Sequence, residues 1–99
     1  MPAYVVSDVV FRDPEAIEAY RSRAAHAIAH YGGRYLARGG TLQTLEGTWR
    51  PERIIILEFP DMATARAWYA SPEYAEALQY RDAALSRDLI LVDGVAPVP

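Results

Sequence analysis

The chain has 99 residues, 52% of them hydrophobic and 11% aromatic, and ten basic side chains against thirteen acidic ones leave a net charge of −3. One domain fits that length, and a chain so short yet so apolar has surface to share, so a partner copy is expected. The acidic balance, with no basic run or stripe, excludes a surface that tracks a phosphate backbone and hence nucleic acid, while the lack of cysteine excludes disulfides, thiolate metal sites and cysteine nucleophiles.

All ten cations are arginines. Met1-Pro2-Ala3-Tyr4 has no charged leader with an apolar run behind it, and no stretch reaches the ~18 apolar residues of a membrane span. A soluble cytoplasmic protein with no membrane partner is expected.

Tyr4 to Phe11 is β-branched and aromatic, with Val5, Val9 and Phe11 on one face and Tyr4, Val6 and Val10 on the other. Both faces are apolar, which predicts a strand inside a sheet covered on two sides, with Ser7 and Asp8 needing partners there. Asp13-Pro14 starts a helix running to about Tyr31, because Asp caps free N–H groups and Pro loses nothing in the first turn. Its stripe is Ile17, Tyr20, Ala24, Ala27, Ile28 and Tyr31, and Gly32-Gly33 ends it with a left-handed cap.

Arg34 to Gly47 reads as a strand broken by a bulge or kink at Gly39-Gly40, or as two short strands in line. Arg50-Pro51-Glu52 is a turn, and a hairpin is expected to pair Thr41 to Gly47 with Arg53 to Phe59. The run Ile54 to Leu57 is the most apolar of the chain and predicts a central strand. Asp61 caps a helix through Met62, Ala65, Trp68 and Tyr69, and Ser71-Pro72 caps another with the stripe Tyr74, Leu78, Arg81, Leu85. Asp88 to Val95 is a last strand, and Ala96 to Pro99 a frayed tail.

The order is β-α-β-β-α-β across a single domain, residues 1–99. It predicts an α+β, ferredoxin-like fold: an antiparallel sheet with both crossover helices on one face. The other face is then bare, and a second copy of the same sheet in a twofold homodimer covers it most simply.

Among polar residues, His26 and His30 have the spacing of a two-histidine metal site, but two ligands are not a site and no third candidate joins them, so no metal is expected. No serine sits in a glycine-flanked elbow, and the glycines come as pairs, so neither a hydrolytic triad nor a phosphate-cradling loop is supported. What remains is Asp8, Arg34, Glu46, Glu58 and Arg81 in apolar settings, with Tyr20, Trp49, Trp68 and Tyr74 nearby in the pattern. One reading is structural, with Asp8 or Glu58 bridging Arg81 or Arg34 inside the fold. The other is a pocket in which Arg81 and Tyr74, facing the sheet, orient an anionic or carbonyl-bearing small molecule.

Six short blocks carry a resemblance: Gly32-Gly33-Arg34, Arg38-Gly39-Gly40, Glu46-Gly47-x-Trp49, Glu58-Phe59-Pro60, Ala67-Trp68-Tyr69-x-Ser71-Pro72-Glu73-Tyr74, and Arg81. From about Tyr4 to Val95 the chain resembles a small bacterial family known only as domain of unknown function 1330, placed in the dimeric α/β-barrel superfamily. The resemblance implies a ferredoxin-like protomer whose sheet packs on its mate's to close a barrel. That superfamily includes cofactor-free quinone-forming monooxygenases, lactone isomerases and haem-binding enzymes, whose catalytic residues do not map here. Neither histidine sits in a motif corresponding to an axial haem ligand.

The expectation is therefore a homodimer binding a small polar or aromatic molecule between sheet and helices, lined by Tyr20, Arg34, Trp49, Tyr74 and Arg81. Catalysis there is expected to be cofactor-free, with Asp8, Glu46 or Glu58 as base. The alternative is a non-enzymatic dimeric module for binding or regulation.

Overall fold

The computed structural model describes residues 1–95, so the expected frayed tail, Ala96 to Pro99, lies outside the described residues. Strand β1, Ala3–Phe11, alternates as its sequence requires, with Ala3, Val5, Ser7 and Val9 buried and the even positions on the opposite face. Helix α1, Pro14–His30, starts where Asp13 Oδ2 accepts the Ala16 N–H at 3.1 Å, and it buries Ile17, Tyr20, Ala24, Ala27 and Ile28. At its end the Gly33 N–H donates to the Ile28 carbonyl at 2.9 Å and the Gly32 N–H to that of Ala29 at 3.0 Å, a double closure that requires the positive φ of 73° at Gly32. Gly33 is needed for another reason: a Cβ there would stand 2.6 Å from Phe59 Cε1.

Strand β2, Arg34–Arg38, carries its bulge between Tyr35 and Ala37, before the glycine pair rather than at it. The Gly39 N–H donates to the Ile54 carbonyl at 3.0 Å and closes the ladder with β3, Ile54–Phe59. The expected hairpin between Thr41 to Gly47 and Arg53 to Phe59 does not form. Arg34–Arg38 takes those pairing positions, and residues 40–50 leave the sheet as an exposed loop. Local alternation could not reveal this, since the partner of a strand is chosen by the whole sheet.

Asp61 Oδ1 accepts the Thr64 N–H at 2.7 Å and starts α2, Met62–Tyr69. Ser71 Oγ accepts the Tyr74 N–H at 3.0 Å and starts α3, Pro72–Leu78. The expected stripe through Arg81 to Leu85 fails here. The Tyr80 N–H turns to the Ala77 carbonyl, three residues back, and a separate single turn follows, α4, Arg81–Ala84. Leu85 is already extended, at φ −161°, and opens β4, Leu85–Asp93, three residues earlier than expected.

All strand pairs are antiparallel in the order β2-β3-β1-β4, the expected ferredoxin-like arrangement of an α+β fold. The core lies between the helices and one sheet face, built from Val5, Val9, Leu57, Phe59, Trp68, Tyr74 and the α1 stripe. Among the described residues the opposite face has no helix on it, and the Cα envelope is only 16 Å deep along its shortest axis. Its central row, read from the register, is Ala37, Ile56, Val6 and Ile90, one from each strand. Among the described residues, no helix is long and apolar enough to cross a membrane.

Candidate functional site

Two of the expected site residues meet on the helix side of the sheet, and a third residue joins them. Tyr20, on the buried stripe of α1, and Tyr74, in the first turn of α3, bring their hydroxyl oxygens to 2.5 Å of each other. Arg87, on β4, donates from Nη1 to the Tyr20 oxygen and from Nη2 to the Tyr74 oxygen, both at 2.8 Å. Each oxygen therefore accepts from the guanidinium, and one phenolic proton bridges the pair. The second phenolic proton has no role inside the triangle.

The triangle borders a cavity of about 70 Å³ between sheet and helices. Apolar residues such as Val9, Ile17, Leu57, Trp68 and Leu89 form most of its wall, together with Ser7, whose hydroxyl donates to the Ile55 carbonyl at 3.4 Å. As it stands the space takes a few waters, each needing roughly 10–15 Å³, and it is smaller than the ~150 Å³ of a cavity that binds benzene, so an aromatic guest enters only as the lining side chains give way. Among the described residues, two buried side-chain N–H groups have no partner, Arg53 Nε and Trp68 Nε1, and both residues line the cavity.

Burial, and after it the neighbouring Tyr74 phenol, hold the Tyr20 hydroxyl protonated well above the usual tyrosine range, against the opposing pull of Arg87. The unfolded chain ionises its tyrosines near pH 10, about where model phenols do. Above that pH the native state holds a proton that the unfolded state has lost, so stability falls as pH rises. Urea midpoints are expected to drop from about pH 10 upward, and more shallowly in Tyr20→Phe; equal slopes for the two proteins would contradict the assignment.

The remaining expected residues stand elsewhere. Arg81 does not face the sheet: on α4 its Nε donates to its neighbour Asp82 at 3.3 Å, and the side chain is 36% exposed. Asp8 and Glu58 lie on the open face because strand alternation sends them there, and Glu46 is exposed on the 40–50 loop. Glu58 accepts from Arg34 Nε at 2.9 Å, the partners of the structural reading, but the pair stands on the open face and not inside the fold, with the Arg34 side chain 69% exposed. Asp8 accepts from the Trp49 indole N–H at 3.3 Å, which ties the loop to the open face. None of the three carboxylates expected to act as base lines the cavity, and neither Arg34 nor Trp49 does.

Arg87 is the residue that sequence reasoning missed. Its signal was the alternation Leu85, Arg87, Leu89, Leu91, which puts an arginine on the apolar face of a strand once the strand starts at Leu85. His26 and His30 are both exposed, and His30 Nε2 lies 3.5 Å from Glu73 Oε1. Among the described residues, no three metal-ligating side chains cluster.

Comparison with known proteins agrees with this architecture. A protein of unknown function from Rhodopseudomonas palustris superposes with a TM-score of 0.75 at 25% identity, over 97% of this chain and 84% of the other. SnoaB, a cofactor-independent oxygenase from Streptomyces nogalater, gives 0.60 at 16% identity, covering 99% and 97%. A dimeric protein of unknown function and ferredoxin-like fold from Bacteroides fragilis gives 0.59 at 13% identity, covering 94% and 96%. The last two likenesses speak for the fold alone. Comparison with curated protein sequences finds no match. The family described as Domain of unknown function (DUF1330) matches residues 2–95, nearly the whole chain, and the six sequence blocks fall inside that span; the chain belongs to this family.

Proposed function

We propose that the protein is a cytoplasmic homodimer that binds a small polar or aromatic molecule in the cavity between sheet and helices, with Tyr20, Tyr74 and Arg87 as its polar contacts. The observation that carries this is the triangle itself: a half-buried guanidinium and two buried phenols converge on a cavity with otherwise mostly apolar walls. The helix-free sheet face supports the dimer, as does the dimeric state of the Bacteroides fragilis neighbour. A chain without cysteine fits a reducing compartment.

Any catalysis in this cavity is cofactor-free and rests on positioning and on the guanidinium and the free phenolic proton, which polarise a carbonyl or hold an oxygen in place. Among the described residues the cavity lining offers no carboxylate or imidazole as base. That deficit favours the second reading, a binding or regulatory module without a reaction, as does the closed Arg34–Glu58 pair.

Two tryptophans are present, and only Trp68 lines the cavity, so Trp49→Phe leaves a single reporter there. Titrating that variant with single-ring aromatic acids, amides and phenols is expected to change Trp68 emission and raise Tm as ligand binds the native state alone. If no compound of the panel moves either signal at concentrations on the order of 10 mM, well above a weak millimolar Kd, the cavity is not a binding site.

A further inference from the structure

We infer that the ligand of this cavity is an oxyanion on a flat apolar body, a carboxylate or an ionised phenol; this rests on the cavity being a binding site. Four of the ten arginines line it, Arg21, Arg38, Arg53 and Arg87, and no aspartate or glutamate does. The chain as a whole is acidic, so this concentration of positive charge is local. None of the four is ion-paired among the described residues, whereas the nearby Arg34 has its own carboxylate in Glu58.

What the four have instead are aromatic faces. Arg21 and Arg53 approach the Phe11 ring at 5.0 and 4.1 Å from its centroid, Arg38 lies 4.4 Å from that of Tyr35, and Arg87 5.6 Å from that of Tyr20. A ring face attracts a guanidinium but accepts no in-plane hydrogen bond, so the N–H edges of Arg21, Arg38 and Arg53 stay available, and Arg87 gives the phenols only two of its five N–H groups. Arg53 Nε shows this directly, being buried and without a partner. Arg53 and Arg87 are partly buried and Arg21 and Arg38 exposed; partly buried cations without counter-charge are costly, and an anion entering beside the first two supplies it.

Two further features narrow the class. The uncommitted phenolic proton of the Tyr20–Tyr74 pair can be donated only to an acceptor, and a carboxylate or phenolate oxygen is the strongest acceptor a small organic molecule offers. The apolar wall favours a body that gains from leaving water, which sets the ligand apart from inorganic phosphate or a sugar phosphate. No carboxylate or imidazole of the cavity can take up a proton, so the ligand arrives ionised or releases its proton to solvent.

Benzoate and benzamide share shape and differ in charge, which makes them the test pair, read by Trp68 emission in the Trp49→Phe protein. Benzoate is expected to bind about tenfold to a hundredfold more tightly, the range for a charged hydrogen bond, and Arg87→Met to bring the benzoate-to-benzamide affinity ratio close to one, whatever it does to the affinity for benzamide itself. If Arg87→Met does not fold, Arg53→Met serves, because the Arg53 side chain makes no hydrogen bond among the described residues. For a phenol source, para-nitrophenol is expected to bind as its coloured phenolate, with its apparent pKa lowered by about 1–3 units. Equal affinities for benzoate and benzamide, with no phenolate shift, overturn the oxyanion inference but leave the binding site standing. Binding of no compound at all removes both.

Discussion

Trp68→Ala is expected to cost about 3–5 kcal/mol of folding stability, the range for truncating a large buried aromatic side chain. Trp68 is 2% exposed and sits at the centre of an aromatic cluster, with ring centroids 4.9 Å from Phe59 and 4.4 Å from Tyr74. Both neighbours are themselves buried, so neither can swing in to fill the space without leaving its own contacts. A domain of this size has roughly 5–15 kcal/mol in total, so the variant lies near the unfolding threshold. Its melting temperature is expected to fall by roughly 12 °C or more, at 4–8 °C per kcal/mol for a small domain. Trp68→Phe separates the two contributions of the side chain: it leaves a smaller void and also removes an indole N–H that is buried without a partner. Its loss is expected to be smaller than that of Trp68→Ala, since less volume is deleted and no polar group is left behind. A thermal melt of Trp68→Ala within a few degrees of wild type, on the order of 0.5 kcal/mol, would show that this cluster does not anchor the helices.

The loss would reach the candidate site as well, because Trp68 touches Tyr74 and Tyr74 carries one corner of the triangle with Tyr20 and Arg87. Stability and ligand contact thus share one side chain. The carbonyl of Trp68 also accepts from Ser71 Oγ at 2.7 Å, and Ser71 Oγ in turn accepts the Tyr74 N–H, so the end of α2 fixes the start of α3 and the position of the phenol. Tyr74 needs no loop to hold it in place.

Features written in short-range pattern could be read from the sequence, and features decided by distant pairing could not. The α1 stripe, the caps at Asp13, Asp61 and Ser71, and the left-handed Gly32 are each settled within a few residues, and all stand as expected. The stripe Tyr74, Leu78, Arg81, Leu85 was equally regular but spans α3, α4 and β4. Periodicity cannot show where a helix stops if no Gly or Pro marks the end. That error moved the inward arginine from position 87 to 81. A strand begun at Asp88 leaves Arg87 in the preceding turn, whereas one begun at Leu85 points it at Tyr20 and Tyr74. The division of the expected site has a similar origin. Asp8 and Glu58 are one step in register from core positions, and a single step on a strand changes the face.

Ile90→Glu is expected to convert the proposed dimer to monomers while leaving the protomer folded. Ile90 is 61% exposed in the protomer, so the substitution costs the fold only about 0.5 kcal/mol. It ends the row Ala37, Ile56, Val6, Ile90 across the open face, where twofold packing places two such carboxylates in a dehydrated interface at several kcal/mol. Every 1.4 kcal/mol is a factor of ten in Kd, so a loss of about 4 kcal/mol is nearly a thousandfold. Light scattering at micromolar protein is expected to give twice the chain mass of 11.0 kDa for wild type and the single mass for the variant, with unchanged circular dichroism. A monomeric wild type, or a variant that stays dimeric, rejects the sheet-to-sheet arrangement. The 40–50 loop adds an independent reason to expect it. Leu42, Leu45 and Trp49 are exposed apolar residues, and together with Val6 and Ile54 they line a shallow recess where the loop meets the open face. Asp8 holds Trp49 at that border through the indole N–H. The loop therefore widens the apolar surface of the open sheet instead of shielding it, which suits a chain whose second copy does the covering.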